Sequence, residues 1–484
     1  MTEPGWSRLS PRMLLVHPVH EVVRQLPVLI GSLVLGSTTG NPMWTLIGVA
    51  LVIGFGLARW FTTTYRIGAD DVQLRTGVLQ RNMLSVPRSR IRSVSTDARL
   101  LHRVLGLTVL QVSTGQEAKG DKAFELDAVP AAEVARLRAI LLADSLAPAD
   151  TGAVADHATV LARWRPSWLR YSPLTFTGLA TIAAALGVLS QTGVFGALRD
   201  SRLVQAGEDA ADDVGVVSAV AVVAVVVLIA SVALSVAQSL LTYGNLVLRR
   251  DVEALHLSHG LVRVREHTFD MRRLRGGTLR EPLLVRLFGG ARLDAVMTGV
   301  TGTGEASQLL PPCPRGTAET VLIDLIHRPD AVTGPLTAHG PAATRRRWTR
   351  AMIFPAVVAI ALAVLAIRID VPVWTSVALT ALTVFSAFLA FDRARSLGHR
   401  IGDGWLVARA GSVQRRRDCV AAAGIVGWTV RQTLFQRRAG VATLVAATAA
   451  GVKHYELIDV PADIAWSIAA TTSPWVSSSK WAHS

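Results

Sequence analysis

The chain has 484 residues and a formal net charge of +15, and half of its residues are hydrophobic. A mean hydropathy of +0.39 is too high for an ordinary soluble enzyme, and this composition excludes disorder over most of the chain. Two cysteines are too few for a disulfide-stabilised secreted domain or a cysteine zinc site. The composition indicates a membrane protein whose water-facing parts are basic.

The membrane-spanning segments are predicted from five stretches without Asp, Glu, Lys or Arg. These are residues 25–58, 171–198, 214–248, 351–367 and 371–391. A helix needs about 20 apolar residues to cross a bilayer. Gly40-Asn41-Pro42 interrupts the first stretch and favours two short spans over one kinked helix. We therefore predict six spans arranged as three hairpins.

Arginines lie on one side of the three predicted hairpins. The predicted membrane-interface residues are Arg59, Arg165, Arg170, Arg249, Arg250, Arg345, Arg346, Arg347, Arg393 and Arg395. On the other side, the turn at 197–213 has two arginines against five acidic residues. The positive-inside rule then places the chain in the cell membrane with both termini in the cytoplasm. No cleavage-site pattern follows the first apolar stretch, so we expect no cleavable signal peptide.

A spaced pattern recurs three times along the chain. Gly77, Gly260 and Gly411 are followed after 23 residues by Leu100, Leu283 and Leu434, after 26 residues by Arg103, Arg286 and Arg437, and after 29 residues by Gly106, Gly289 and Gly440. Four shared offsets in three copies predict a repeat unit, made of one hairpin and one water-facing domain.

The repeat predicts the domain organisation. Hairpins with their flanking segments occupy 1–58, 171–248 and 351–391; water-facing domains occupy 59–150, 249–332 and 392–475; linkers occupy 151–170 and 333–350; a tail follows at 476–484. Each domain is predicted to hold antiparallel strands, because apolar and polar residues alternate before the first glycine, as at Val72 and Leu74. A helix is predicted to close each domain, as after Pro130 and, more weakly, after Pro461.

The motif around the repeated arginine resembles a known signature. Arg103-Val104-Leu105-Gly106-Leu107, running to Ser113-Thr114-Gly115, resembles the bacterial membrane-flanked PH-like domains, as does Arg286-Leu287-Phe288-Gly289, running to Met297-Thr298-Gly299. The third copy, Arg437-Arg438-Ala439-Gly440, departs from the pattern, and we expect it to be degenerate. Three hairpin-plus-domain units in one chain resemble the YdbT-type proteins of that family.

The resemblance implies a fold and a kind of function. The expected fold is a multi-pass α-helical membrane protein carrying three small PH-like β domains, each a curled antiparallel sheet with a C-terminal helix. The family implies no enzymatic activity, and its members pair with a smaller membrane protein that has one PH-like domain. Envelope maintenance and stress protection are the processes it suggests.

Catalytic and metal-binding patterns are sparse in the sequence. His17-x-x-His20 lacks a neighbouring Cys or carboxylate cluster, and Gly299 to Gly304 is interpreted as a hairpin turn rather than a phosphate loop. We therefore expect no enzyme activity, no cofactor and no metal. Nucleic-acid binding is not expected, because topology accounts for the charge and the water-facing parts lack an aromatic stripe.

Two functions remain open on the sequence. The first is a non-catalytic scaffold that presents PH-like domains at the inner leaflet to anionic lipids or a protein partner. The second is a permease or exporter component, which the absence of charge in the five apolar stretches weakens; a solute-flux assay in liposomes separates the two. The repeated arginines either bond turn carbonyls or contact a lipid phosphate or a partner's carboxylate.

The predicted topology is testable with fused reporters. A reporter active only outside the membrane should be active after Gly207, which lies in the acidic turn, and silent after Gly115. The opposite pattern of activity would exclude a cytoplasmic location for the water-facing domains.

Overall fold

The computed structural model describes residues 6–8, 43, 54, 61–68, 70–77, 81–88, 91, 93–98, 100–113, 124–142, 159–175, 177, 180–184, 187, 216–299, 307–369 and 371–478. Two units are distinguished by their internal contacts. Unit 1 comprises residues 1–163 and 241–273, and unit 2 comprises residues 164–240 and 274–484.

Unit 1 is built from antiparallel strands. Its elements are β1 (Ser7–Arg8), β2 (Thr64–Ile67), β3 (Asp71–Thr76), β4 (Asn82–Pro87), β5 (Ser93–Ala98), β6 (Leu107–Ser113), β7 (Phe124–Pro130), β8 (Thr159–Arg163), β9 (Val247–Arg250), β10 (Ala254–His259) and β11 (Val264–Asp270), with helices α1 (Leu100–Val104) and α2 (Ala131–Leu142). One sheet has the order β1-β2-β3-β4, and the other has the order β7-β6-β5-β11-β10-β9-β8.

The core of unit 1 follows the alternation seen in the sequence. Val72 and Leu74 of β3 are buried, whereas the intervening Gln73 is partly exposed. They pack in one cluster with residues of β5, β6 and β7 and with Leu137 and Leu141 of α2. Helix α2 thus covers the space between two small sheets, since neither sheet could bury enough apolar surface alone.

Unit 2 repeats this construction. Its elements are β12 (Leu274–Pro282), β13 (Gly290–Met297), β14 (Gln308–Pro314), β15 (Gly398–Gly402), β16 (Trp405–Ala410), β17 (Gln414–Ala421), β18 (Ile425–Arg431), β19 (Val441–Thr448) and β20 (His454–Pro461), with helices α4 (Leu283–Leu287), α5 (Arg315–Ile326), α6 (Pro329–Thr333), α7 (Gly340–Ala366), α8 (Val373–Ser396), α9 (Leu434–Arg438) and α10 (Ala465–Thr472). The sheet orders are β14-β13-β12-β17-β16-β15 and β18-β19-β20.

The last copy of the repeat, predicted to be degenerate, is β-rich. Leu406 of β16, Ile425 of β18 and Leu444 of β19 share a buried cluster with Ile468 of α10. The weak helix predicted after Pro461 is a 3₁₀ turn, Ala462–Ile464, followed by the eight residues of α10.

Three helices of the described residues are long and apolar enough to cross a membrane. They are Ala224–Tyr243 within α3 (Val216–Tyr243), Gly340–Ala366 (α7) and Val373–Ser396 (α8). They coincide with the predicted spans at 214–248, 351–367 and 371–391, although α7 begins at Gly340, before its predicted span. The predicted first hairpin and most of the stretch 171–198 lie outside the described residues.

The start of the stretch 171–198 differs from the prediction. Pro166–Tyr171 and Pro173–Thr175 are 3₁₀ helices. Tyr171 is fully buried, and its ring lies against Gly290. An aromatic ring packed against a glycine backbone anchors this segment to a sheet, so the apolar character of Tyr171 reflects a protein core rather than a bilayer.

The repeated glycines share one backbone conformation. φ is +125°, +108° and +101° at Gly77, Gly260 and Gly411, and +66°, +73° and +66° at Gly106, Gly289 and Gly440. L-residues rarely adopt such φ values. The shared spacing therefore has a physical cause: each copy needs two turns that glycine forms without strain.

Replacing Gly411 by Ala should destabilise the protein. A Cβ at this position would overlap the carbonyl oxygen of Gln414, and φ would remain positive. We expect a loss of at least about 1–3 kcal/mol, measured as a lower melting temperature of the full chain in detergent. Gly402→Ala is the matched control, since nothing lies within 4 Å of its Cβ; equal melting temperatures for the two variants would contradict this explanation.

Candidate functional site

The turn between the repeated arginine and the second glycine is closed by the backbone. The glycine N–H donates to the arginine carbonyl over 3.1 Å at Gly106, 2.9 Å at Gly289 and 3.2 Å at Gly440. The glycine carbonyl then accepts from the first residue of the following helical segment, Ala131, Arg315 or Ala462. The turn carbonyls therefore have backbone donors, and the arginine side chains are directed elsewhere.

Arg103 bonds a carbonyl outside its own turn. Its Nη1 donates to the carbonyl oxygen of Leu261 over 2.9 Å. Leu261 lies in the turn between β10 and β11. Next to it, Arg263 Nε donates to Asp97 Oδ1 over 2.6 Å, and its Nη2 pairs with the other oxygen of this buried carboxylate on β5. These bonds hold the first repeat motif against the beginning of the next copy.

Arg286 bonds a carboxylate instead. Its Nη2 lies 2.8 Å from Asp392 Oδ2, and Arg415 Nη2 lies 2.6 Å from Asp392 Oδ1. Asp392 is in the last turns of α8, while Arg415 begins β17 and also lies 3.8 Å from Glu281 of β12. The base of an apolar helix is thus tied to two neighbouring strands through one carboxylate.

Arg437 differs from both. Its side chain is exposed, and it has no hydrogen-bond or ion-pair partner within the described part of the chain. The backbone turn around it matches those of the other two copies, so the three copies differ in the side-chain partner of the arginine and share the local backbone fold.

The base of α7 contains a buried ion-pair network. Arg346 Nε lies 3.1 Å from Asp459 Oδ1, and Arg347 Nη2 lies 2.9 Å from Asp459 Oδ2. Asp459 is fully buried on β20, and Gln436 Nε2 also donates to its Oδ1 over 2.9 Å. Two arginines predicted to face the membrane interface therefore have a carboxylate partner in the protein.

Two histidines lie beside this network. The rings of His339 and His399 are 5.0 Å apart, and His339 Nδ1 lies 2.8 Å from the carbonyl oxygen of Ile458. Burial lowers the pKa of both, and with the neighbouring His339 it lowers the pKa of His399 to about 4. Both imidazoles are therefore neutral at pH 7, so Arg346 and Arg347 supply the positive charge that faces Asp459.

The other predicted interface arginines are more accessible. Arg165, Arg170, Arg249, Arg345 and Arg395 are exposed, and Arg250 and Arg393 are partly buried. Arg170 donates to the Tyr171 hydroxyl over 2.6 Å. Arg59 lies outside the described residues.

Catalytic chemistry finds little support at the candidates named from sequence. Cys313 and Cys419 are buried free thiols, and burial raises the pKa of each to about 12, so both are protonated and unreactive. Within the described ranges no three His, Cys, Asp or Glu side chains converge in a way that could hold a metal ion. His17, His20 and most of the segment from Gly299 to Gly304 lie outside those ranges.

Sequence reasoning missed Asp459 and Asp392. Asp459 stands in an otherwise apolar strand where the first copy has Ala128, and an acidic residue there is a signal for a buried basic partner. Asp392 is the sole acidic residue between Asp370 and Asp403 and lies beside a run of arginines. Neither signal identifies which arginine is the partner.

Comparison with known proteins gives one match. The family model of the bacterial PH domain matches residues 22–145 and 352–472, just over half of the chain. Both matched segments include a predicted hairpin and the β-rich domain that follows it. No curated protein and no solved structure matches the chain significantly.

Removing the carboxylate of Asp459 should strongly destabilise the base of α7. Asp459→Asn leaves Arg346 and Arg347 buried without a counter-charge, and we expect a loss of about 3–5 kcal/mol in unfolding free energy, measured by thermal or denaturant unfolding in detergent. The matched control is Glu456→Gln on the same strand, whose partner Arg431 is exposed; its effect should stay below about 1 kcal/mol. Comparable losses in both variants would argue against the buried network.

Proposed function

Because the chain belongs to the bacterial PH domain family, we propose that it is a non-catalytic membrane protein that presents three PH-like domains at the cytoplasmic face of the cell membrane. The domains would bind anionic lipids or a protein partner there. The three-domain, YdbT-type arrangement is part of the proposal, and its support is the shared turn and the shared glycine conformations of the three copies.

The observation that carries the proposal is the attachment of apolar helices to the sheets. Asp392 at the base of α8 pairs with Arg286 and Arg415, and Arg346 and Arg347 at the base of α7 pair with Asp459. Helices α7 and α8 also pack against each other. If this helix pair spans the bilayer, its charged base fixes the sheets of unit 2 close to the headgroups, within about 8–10 Å at physiological salt.

Exposed groups at the same base suit a lipid surface. Arg345 and Arg395 are exposed, and Trp348 is exposed enough to lie at an interface, where tryptophan is enriched. An arginine near an anionic leaflet contributes about 1 kcal/mol. Diffuse charge of this kind needs no fixed headgroup pocket.

A protein partner fits the same arrangement. Following the resemblance, we propose a smaller membrane protein with one PH-like domain, acting with this chain in envelope maintenance or stress protection. Domains held at one membrane face meet such a partner in two dimensions, which raises its effective concentration.

Lipid selectivity tests the proposal. Full-length protein purified from membranes should retain anionic lipids in excess over zwitterionic ones, and Arg345→Gln with Arg395→Gln should lower this enrichment several-fold, as should high salt. Lipid mass spectrometry measures the ratio. The control pair Arg81→Gln and Arg136→Gln removes two exposed arginines far in sequence from α7 and α8 and should leave the ratio unchanged. Equal enrichment in all three proteins would remove the support for lipid binding.

A further inference from the structure

Consecutive copies of the repeat are joined by strand pairing. In unit 1, β5 of the first copy pairs antiparallel with β11 of the second. In unit 2, β12 of the second copy pairs antiparallel with β17 of the third. We call this pairing the sheet joint: the first strand of the sheet that ends one copy is bonded to the last strand of the sheet that begins the next.

Both sheet joints have the same register. Asp97, twenty residues after Gly77, pairs with Arg265, five residues after Gly260. Arg280, twenty residues after Gly260, pairs with Arg416, five residues after Gly411. Two independent joints in identical register define one interface used twice.

The repeated arginine belongs to this interface. Arg103 bonds Leu261 of the following copy, and Arg286 bonds Asp392, which leads into the following copy. In the second joint, the Leu283 N–H also donates to the carbonyl oxygen of Val413 over 2.7 Å. At both joints the arginine therefore reaches forward across the joint.

Each half of the interface occurs once without its complement. Among the described strands, β18 is bonded to β19 alone and β4 to β3 alone. Thr96 of β5 and Leu279 of β12 are buried, whereas Val426 of β18 is 69% exposed and Met83 of β4 is 60% exposed. β4 carries no charged residue to protect its edge, and such an edge pairs readily with another strand.

We propose that β18 of one molecule pairs antiparallel with β4 of a second copy of this chain, in the register of the two internal joints. Arg431, twenty residues after Gly411, then faces Asn82, five residues after Gly77. The second copy is the occupant because the same chain supplies both halves of the interface. The exposed Arg437 is the forward-reaching arginine of this third joint. The contact is head to tail, so it builds rings or rows of copies in the membrane plane.

Disulfide trapping in membranes tests the register. Two full-length versions of different size are co-expressed, one with Arg431→Cys and the other with Asn82→Cys. Directly opposed strand residues have Cα atoms about 4.5–5.5 Å apart, within disulfide reach, so oxidation should give a mixed dimer. The native thiols are buried and do not compete. Since each version carries one new cysteine, the mixed product is intermolecular.

An out-of-register pair is the control. Ser85→Cys in place of Asn82→Cys shifts the partner by three residues, about 10 Å along the strand, beyond the roughly 7 Å limit for a disulfide. Equal yields from the two pairs, or no mixed dimer from either, would overturn the proposal. An adduct of the Arg431→Cys version with a different membrane protein, and none with a second copy, would reassign the edge to that partner and also overturn it.

The arginine gives an independent test. In the trapping pair, Arg437→Ala should lower the mixed-dimer yield several-fold, whereas Arg438→Ala, the exposed neighbour, should leave it unchanged. Unchanged melting temperatures would show that the folds are intact. Equal yields from the two alanine variants would exclude Arg437 from the interface. Lipid enrichment is unaffected by either result, so failure here is distinguishable from failure of the proposed lipid binding.

Discussion

The unsatisfied edges of short β-sheets constrain this molecule more than any other feature. A three-stranded sheet presents two rows of unpaired N–H and C=O groups and buries little apolar surface. Sharing an edge between consecutive copies removes one row from each and produces sheets of seven and six strands. The positions of the glycine turns, the helices and the repeated arginine all follow from the need to bring β5 to β11 and β12 to β17.

The second constraint is the passage from apolar helix to polar sheet. Helices α7 and α8 end in charged residues, and burying those charges unpaired would cost several kcal/mol each. Asp392 and Asp459 each accept from two arginines, which neutralises the bases of the helices inside the protein. A buried pair of this kind adds little net stability compared with an apolar contact. Its value here is geometric, because a carboxylate shared by two guanidinium groups fixes the direction in which the helix leaves the sheet.

Features that depend on local sequence could be predicted. Alternation identified β3 and β10, helical spacing identified α2, and equal offsets identified glycines that share positive φ values. The resemblance to bacterial PH-like domains is confirmed by the family match. The sheet joints and the partners of the arginines could not be predicted. β5 and β11 are about 170 residues apart, and a strand pattern states which face is buried but not which strand lies beside it.

The third copy shows why a motif can depart from its pattern while the backbone is kept. The residue before the repeated arginine is buried in each copy: His102, Val285 and Gln436. Gln436 closes a capping box with Thr433 and donates to Thr443 and Asp459, so this copy has a polar network where the second has an apolar contact. That network continues through Asp459 to Arg346 and Arg347 of α7. A partly satisfied polar network costs more than an apolar core, so its members can change only together. The altered motif is therefore the physical consequence of anchoring a helix with buried charge, and it leaves the turn at Gly440 and the adjoining strand β18 able to form the same kind of joint as the first two copies.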